Sequence, residues 1–184
     1  RSTMQRLYWA YYLTKNKERS IMGKTALKTV KNPQTLNDYC QGILSKAKVT
    51  GKKELAAFAE VYFRGLPLVE YDFLNDKAVI SHIQSVYSVF QTSWKGDVFV
   101  RVHNPPYTRH TVAEVHMPDQ PFLVDSVWSE INRRGLDVHH TFHPVLLTKR
   151  TPSGEVKDFT DVGQRAEKDQ TFQPESLVHI EFDR

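Results

Sequence analysis

The sequence predicts an α+β fold: a ferredoxin-like antiparallel sheet with helices on one face, preceded by a helical N-terminal segment. Three observations carry this expectation. The apolar period changes from 3.6 to 2 near residue 97. Residues 110–150 read strand, loop, helix, strand, a βαβ unit too short for a nucleotide-binding crossover. A last alternating strand at 177–182 then returns to the sheet.

The elements follow in order. Leu36, Tyr39, Ile43 and Leu44 suit one short amphipathic helix. In KELAAFAEVYFR (53–64), Leu55, Phe58, Ala59 and Tyr62 fall at i, i+3, i+4 and i+7, and Gly65 and Pro67 end that helix. Asn75 caps a longer helix over 76–92, whose broad face is Val79, Ile80, Ile83, Val86, Tyr87 and Phe90. His82 lies off that stripe and is expected in solvent. Val98, Val100 and Val102 alternate with Phe99, Arg101 and His103 as a strand does. Asn104-Pro105-Pro106-Tyr107 must then be a loop, because proline gives a ladder no donor. Thr111, Ala113, Val115 and Met117 share one face of the returning strand, closing a hairpin.

Pro118-Asp119-Gln120-Pro121 is expected to start the next helix, with proline in the first turn and Asp119 capping the positive end of the dipole. Val124, Val127, Trp128 and Ile131 form its buried stripe, Arg133 and Arg134 occupy the last turn, and Gly135 stops it at C′. Leu136, Val138, His140 and Phe142 alternate along a strand that continues through Val145–Leu147. Residues 151–175 are polar and hold Pro152, Gly154, Gly163 and Pro174, so a long mobile loop is expected. In the final strand Val178, Ile180 and Phe182 point inward. The motif places 177–183 between 111–117 and 136–148, with 97–103 at the edge in place of a fourth strand. Helix 76–92 should fill the place of the missing second helix. The chain thus divides into a basic, partly mobile extension (1–53), a helical segment packing on the sheet (54–95) and an α/β domain incomplete at its C-terminal end (96–184).

Composition limits the function. The net charge of +4 conceals an asymmetry. Residues 1–53 carry 12 Lys and Arg against Glu18 and Asp38, a net of +10; residues 54–184 carry 13 basic and 19 acidic residues, a net of −6. A solvated leader is the plain expectation for the basic part, nucleic acid or an anionic membrane the sharper one. The single cysteine, Cys40, permits no internal disulfide and fits a reducing, cytoplasmic setting. No stretch approaches the roughly 20 apolar residues of a membrane span. LYWAYYL (7–13) follows Arg1 and Arg6, but it is short, aromatic and lacks a small-residue cleavage site, so no signal peptide is expected. Met22 is the expected start, with 1–21 a leader upstream of it.

No phosphate-cradling glycine loop, nucleophile elbow or Cys-His signature is present, so no nicotinamide chemistry is expected within these residues. His139, His140 and His143 lie on one strand, with His116 and His179 on its neighbours and Glu114, Asp137 and Glu181 close in sequence. Spacings of two to four on a strand distorted by Pro144 are no metal signature, so core packing or cross-strand pairing is expected and no metal site. No catalytic residue is predicted. The candidate effector or interface loop is Asp119, Gln120, Pro121 and Phe122 with Asp125, where free helix N–H groups converge.

Pro118-Asp119-Gln120-Pro121-Phe122-Leu123 resembles the strand-loop-helix turn of ACT domains, small modules that often bind amino acids and regulate metabolic enzymes. FLVDSVWSEINRRGLDVHHTFHPVLLTKR (122–150) and ESLVHIEFDR (175–184) are similar to the N-terminal ACT-like region of the large bacterial NAD-specific glutamate dehydrogenases. VFVRVHNP, HTVAEV and AAFAEVYFR resemble that family more weakly, and the likeness spans about 55–184. The resemblance implies a non-catalytic regulatory or assembly fragment of an oxidoreductase that converts L-glutamate and NAD to 2-oxoglutarate, ammonia and NADH. It implies no cofactor in this fragment and NAD in the full-length enzyme. It implies downstream domains of the same enzyme and a homo-oligomer as partners, with an amino-acid effector as the small-molecule candidate. ACT domains usually have glycine where this chain has Phe122; the bulk there favours assembly or interdomain packing over amino-acid binding. The alternative from another class is an RNA-binding ferredoxin-like module, which the basic leader permits, although ESLVHIEFDR lacks the aromatic pattern of RNA-binding strands. A small metal-dependent enzyme is a third reading.

Overall fold

Helix α1 (Leu36–Lys46) begins where Thr35 and Asp38 close a reciprocal capping box, each side chain bonding the other's backbone N–H (3.1 and 3.2 Å). The computed structural model describes residues 35–64, 75–94, 96–162 and 171–184. Residues 1–34 of the basic extension, with LYWAYYL and Met22, the Gly65 and Pro67 stop and Gly163 lie outside the described residues. Leu36, Tyr39, Ile43 and Leu44 are buried as their spacing predicts, and Cys40 joins them. Burial pushes the Cys40 thiol up to about 12, so it packs as a small apolar group.

Helix α2 (Lys52–Tyr62) starts after Gly51 and buries Leu55, Phe58, Ala59 and Tyr62. Helix α3 (Asp76–Gln91) is capped by Asn75, whose Oδ1 accepts from the Ala78 N–H at 2.9 Å. These helices share one core, with Phe58 against Tyr62, Tyr87 and Phe90. His82 is inside that packing at 2% exposure, against the expectation of a solvent-facing side chain. The apolar stripe marked only the helix–helix face; the sheet buries the flank beside it.

The strands are β1 (Phe99–His103), β2 (Thr111–Pro118), β3 (Val138–Phe142), β4 (Val145–Arg150), β5 (Val156–Asp161) and β6 (Gln173–Phe182), with helix α4 (Leu123–Arg133) between β2 and β3. All pair antiparallel in the order β1-β2-β6-β4-β5, with β3 also on β6. Strand β6 thus lies between β2 and the β3–β4 line, and β1 takes the edge, as expected from the motif. The architecture is α+β with an open antiparallel sheet, as ferredoxin-like pairing requires.

Four placements differ from expectation. Residues 151–175 are not all loop: β5 forms a hairpin with β4, and β6 begins at Gln173. Strand β5 is a half-exposed edge whose sequence, VKDFTD, shows no apolar alternation to read. The strand 136–147 is broken at His143-Pro144 into β3 and β4, which lie end to end along β6, and the Pro144 carbonyl accepts from the Leu177 N–H at 3.1 Å. A register shift between Val138 and His140 also ends the simple alternation, so Val138 packs with α4 and Phe142 with the helical core. Helix α4 starts at Leu123 because Pro118 still pairs in β2, opposite Glu175, leaving Asp119–Phe122 to turn the chain.

The fourth difference concerns helix α3. Val178 and Ile180 of β6 pack with Val124 and Ile131 of α4, whereas Leu177, next to Val178 and on the opposite side of the pleat, packs with α1–α3. The two groups of helices therefore cover opposite faces, and α3 does not fill the vacancy beside α4. Strand β2 is buried on both faces from Val112 to Met117, so each face demands cover. One strip stays bare: Val98, Val100 and Val102 are 57–60% exposed, on the face where α4 packs farther in.

Candidate functional site

Phe122 supplies the helix N-cap of α4 in a left-handed conformation (φ 63°, ψ 12°), the only non-glycine residue with positive φ among those described. It is 64% exposed. No side chain caps α4, so Asp119 does not serve as the expected cap. Its Oδ1 instead accepts from the Ser176 hydroxyl at 2.6 Å, while its N–H donates to the Pro174 carbonyl at 3.0 Å. Gln120 is exposed and reaches Met117 Sδ at 3.9 Å, Pro121 is exposed, and Asp125 sits exposed in the first turn of α4. All five predicted residues therefore line one turn at the sheet's end.

Two partners of that turn were not foreseen. Ser176 of β6 is buried, and His143 donates from Nε2 to its oxygen at 3.1 Å. Burial depresses His143, which Asp119 and Asp125 only partly offset. Ser176 spends its one proton on Asp119, so this Asp–Ser–His chain positions the turn and offers no activated nucleophile. Only the β6 register brings the three together, and no local motif announces it.

Beside Asp119 opens a cleft of about 630 Å³, lined among others by Trp94, Thr148, Arg150, Gly154 and Glu175. Arg150 is its structural hub. It binds Glu175 in a fork (Nε–Oε1 2.8 Å, a terminal N to Oε2 2.9 Å), donates to the Gly154 and Phe90 carbonyls (2.7 and 3.1 Å) and lies over the Trp94 ring. His116 adds a bond to Glu175 at 2.8 Å. Burial raises the Glu175 carboxyl, and His116 and Arg150 outweigh that effect and hold it below its usual range. Trp94 lines the same cleft, its backbone N–H donating to the Gly154 carbonyl at 3.1 Å. At Gly154 (φ +90°) a Cβ would stand 2.4 Å from the Trp94 carbonyl oxygen. Gly154→Ala should therefore lower stability by about 2 kcal/mol, read as a lower urea midpoint at unchanged m.

A second polar group lies between α3 and the sheet. His179, fully buried on β6, stands between Glu114 of β2 and Glu181 of its own strand. Its Nδ1 is 3.7 Å from Glu114 Oε1 and its Nε2 is 3.5 Å from Glu181 Oε1, ion-pair distances too long for hydrogen bonds. Burial alone would depress the imidazole; the flanking carboxylates prevail and raise it. Glu114 also receives Arg101 Nε at 2.5 Å and the Ser85 hydroxyl at 3.1 Å. Despite burial its carboxyl is held at about 2, chiefly by His179 and Arg101. Glu181 Oε2 takes the Thr108 hydroxyl at 2.8 Å and His110 Nδ1 at 3.0 Å. Across the gap, the His82 ring lies 4.1 Å from that of His179, and burial holds His82 well below its usual value, hence neutral. The histidines of the strands therefore do pair across strands, as expected, and His82 joins them from the helix.

Residues 58–184 match the family described as glutamate dehydrogenase, ACT1 domain. The chain is similar to the NAD-specific glutamate dehydrogenase of Pseudomonas aeruginosa, at 34% identity over 137 residues, 71% of this chain and 8% of that protein. The NAD-specific glutamate dehydrogenase of Halomonas elongata is 32% identical over 155 residues, 81% of this chain and 9% of that protein. The chain thus spans less than a tenth of the length of these relatives. No solved structure matches. The RNA-binding alternative gains no support from these likenesses. Among the described residues no helix is long and apolar enough to cross a membrane.

Proposed function

Because the chain belongs to the glutamate dehydrogenase ACT1 domain family, we propose that it is a non-catalytic assembly and regulatory region of an NAD-dependent glutamate dehydrogenase. The oxidation of L-glutamate to 2-oxoglutarate and ammonia, with its NAD, is then carried by parts of the enzyme outside this chain. The observation that supports this reading most is Phe122. A non-glycine residue in the left-handed region costs about 1–2 kcal/mol, and an exposed phenyl ring recovers little of it within this chain. Strain and exposed apolar surface meet at the turn where the resemblance places an effector or interface. Phenylalanine there blocks the close backbone approach that glycine allows, which favours a protein surface over an amino acid as the first partner. Downstream domains and other copies of the cytoplasmic enzyme are the natural partners. Control would act by contacts at this turn that differ between two states of the oligomer, carried through α4.

Phe122→Gly separates the two roles of this residue. In the isolated chain it should raise stability by about 1 kcal/mol, because the left-handed strain disappears. In the full-length enzyme it should weaken the oligomer, seen by sedimentation velocity as dissociation at a higher concentration, or blunt the response of the glutamate-dependent rate to amino-acid effectors. An enzyme with unchanged assembly and unchanged effector response would refute the reading.

A further inference from the structure

We propose that His82, His179 and Glu181 form a structural site for one divalent transition-metal ion, Zn²⁺ by its donor chemistry, that clamps helix α3 to strand β6. One ligand atom from each residue lies within 4.8 Å of the others, and the three side chains are 2%, 0% and 3% exposed. Two imidazoles and a carboxylate are a zinc set, with metal–ligand bonds of about 2.0–2.2 Å. Binding would draw the donors together to about 3.3 Å, the edge such bonds span in a tetrahedron. The three supply three of zinc's four tetrahedral positions and leave one for water; a 2-His-1-carboxylate set also serves iron, but iron chemistry needs several open positions, and burial of all three ligands favours a structural role.

The independent observation is His179. Both of its ring nitrogens are buried without a hydrogen bond, a costly condition in a native interior. Each nitrogen nevertheless faces a carboxylate oxygen. Glu181 Oε2 is occupied by Thr108 and His110, so its Oε1 is the atom left facing Nε2 of His179. On the other side, Glu114 faces Nδ1 of His179 and is itself fixed by Arg101 and Ser85. That order, carboxylate–histidine–ion, is the outer-shell arrangement that orients metal-bound imidazoles. Tyr62 holds the third ligand, its hydroxyl 3.1 Å from Nε2 of His82.

The rival occupant of the same gap is a second ring proton on His179, at Nε2 facing Glu181 Oε1, with the Nδ1 proton facing Glu114. Zn²⁺ would displace it. The test uses the whole 184-residue chain with any affinity tag removed. After dialysis against a slight excess of Zn²⁺, elemental analysis should return one zinc per chain, and thermal unfolding should shift upward by several degrees. Co²⁺ in its place should give the intense visible absorption of a tetrahedral site. His82→Asn and Glu181→Gln should each lower affinity at least 100-fold, whereas His139→Asn should leave it unchanged. Should those variants fail to fold, anomalous diffraction at the zinc edge from wild-type crystals decides. A peak between His82, His179 and Glu181 upholds the site. A peak only elsewhere, no stoichiometric uptake, or undiminished binding in folded His82→Asn overturns it.

Discussion

Arg150→Ala is expected to lower the free energy of unfolding by about 3–5 kcal/mol, the cost of stranding a buried charge. Glu175, 2% exposed, would keep only His116, and the Phe90 and Gly154 carbonyls would lose their shared donor. A melting temperature lower by about 10 °C follows for a chain of this size. The companion Arg150→Ala/Glu175→Gln should recover part of the loss, because glutamine keeps a polar partner for His116 without the stranded charge. Differential scanning calorimetry checks both. A loss under about 1 kcal/mol would mean the fork is solvated, and its structural role would be abandoned. The pH dependence has a defined sign. Glu175 is held below its usual value in the folded chain, so its contribution is present above the unfolded value of about 4.3 and fades as pH falls through the folded one. Arg150→Ala should flatten that part of the acid limb.

Phe58→Ala should cost about 3–5 kcal/mol by leaving a cavity at the centre of the helical core. Phe58 is fully buried, with ring centroids of Tyr87, Phe90 and Tyr62 at 5.0, 5.1 and 5.5 Å and of Phe159 at 6.1 Å. Phe159 belongs to β5, so the cavity should loosen that edge strand too. Equilibrium urea unfolding measures the loss, and native-state hydrogen exchange should show amides of 156–161 losing protection with it. A cost under about 1.5 kcal/mol would show that neighbouring rings close the gap, and Phe58 would not be the centre of this core.

Most elements were legible because their signals are local. The spacing of Leu55, Phe58, Ala59 and Tyr62, the Asn75 cap and the Gly135 stop each lie within a few residues of what they specify. Gly135 does turn with φ 72° and donates back to the Asn132 carbonyl at 2.9 Å. The pairing order of the sheet was legible too, because few topologies satisfy a strand-helix-strand unit followed by one returning strand. Strand β5 escaped because an edge strand with one wet face needs no apolar alternation. His82 escaped because a helix's apolar stripe does not reveal a polar side chain that meets another polar group on the sheet.

The candidate turn shows the same division. Asp119, Gln120, Pro121, Phe122 and Asp125 stand out in the sequence, but Ser176 and His143 reach Asp119 only through the register of β6. What this chain's sequence determined alone was its alphabet of helices and strands, its sheet order and its family likeness, since these rest on periodicity and on contiguous words. Tertiary structure decided which face each helix covers and which polar groups meet in the interior. Glu114 and His179 are opposite each other by strand register, and His82 meets them across a packed interface. Such encounters depend on distances between remote segments, and no local pattern carries that information.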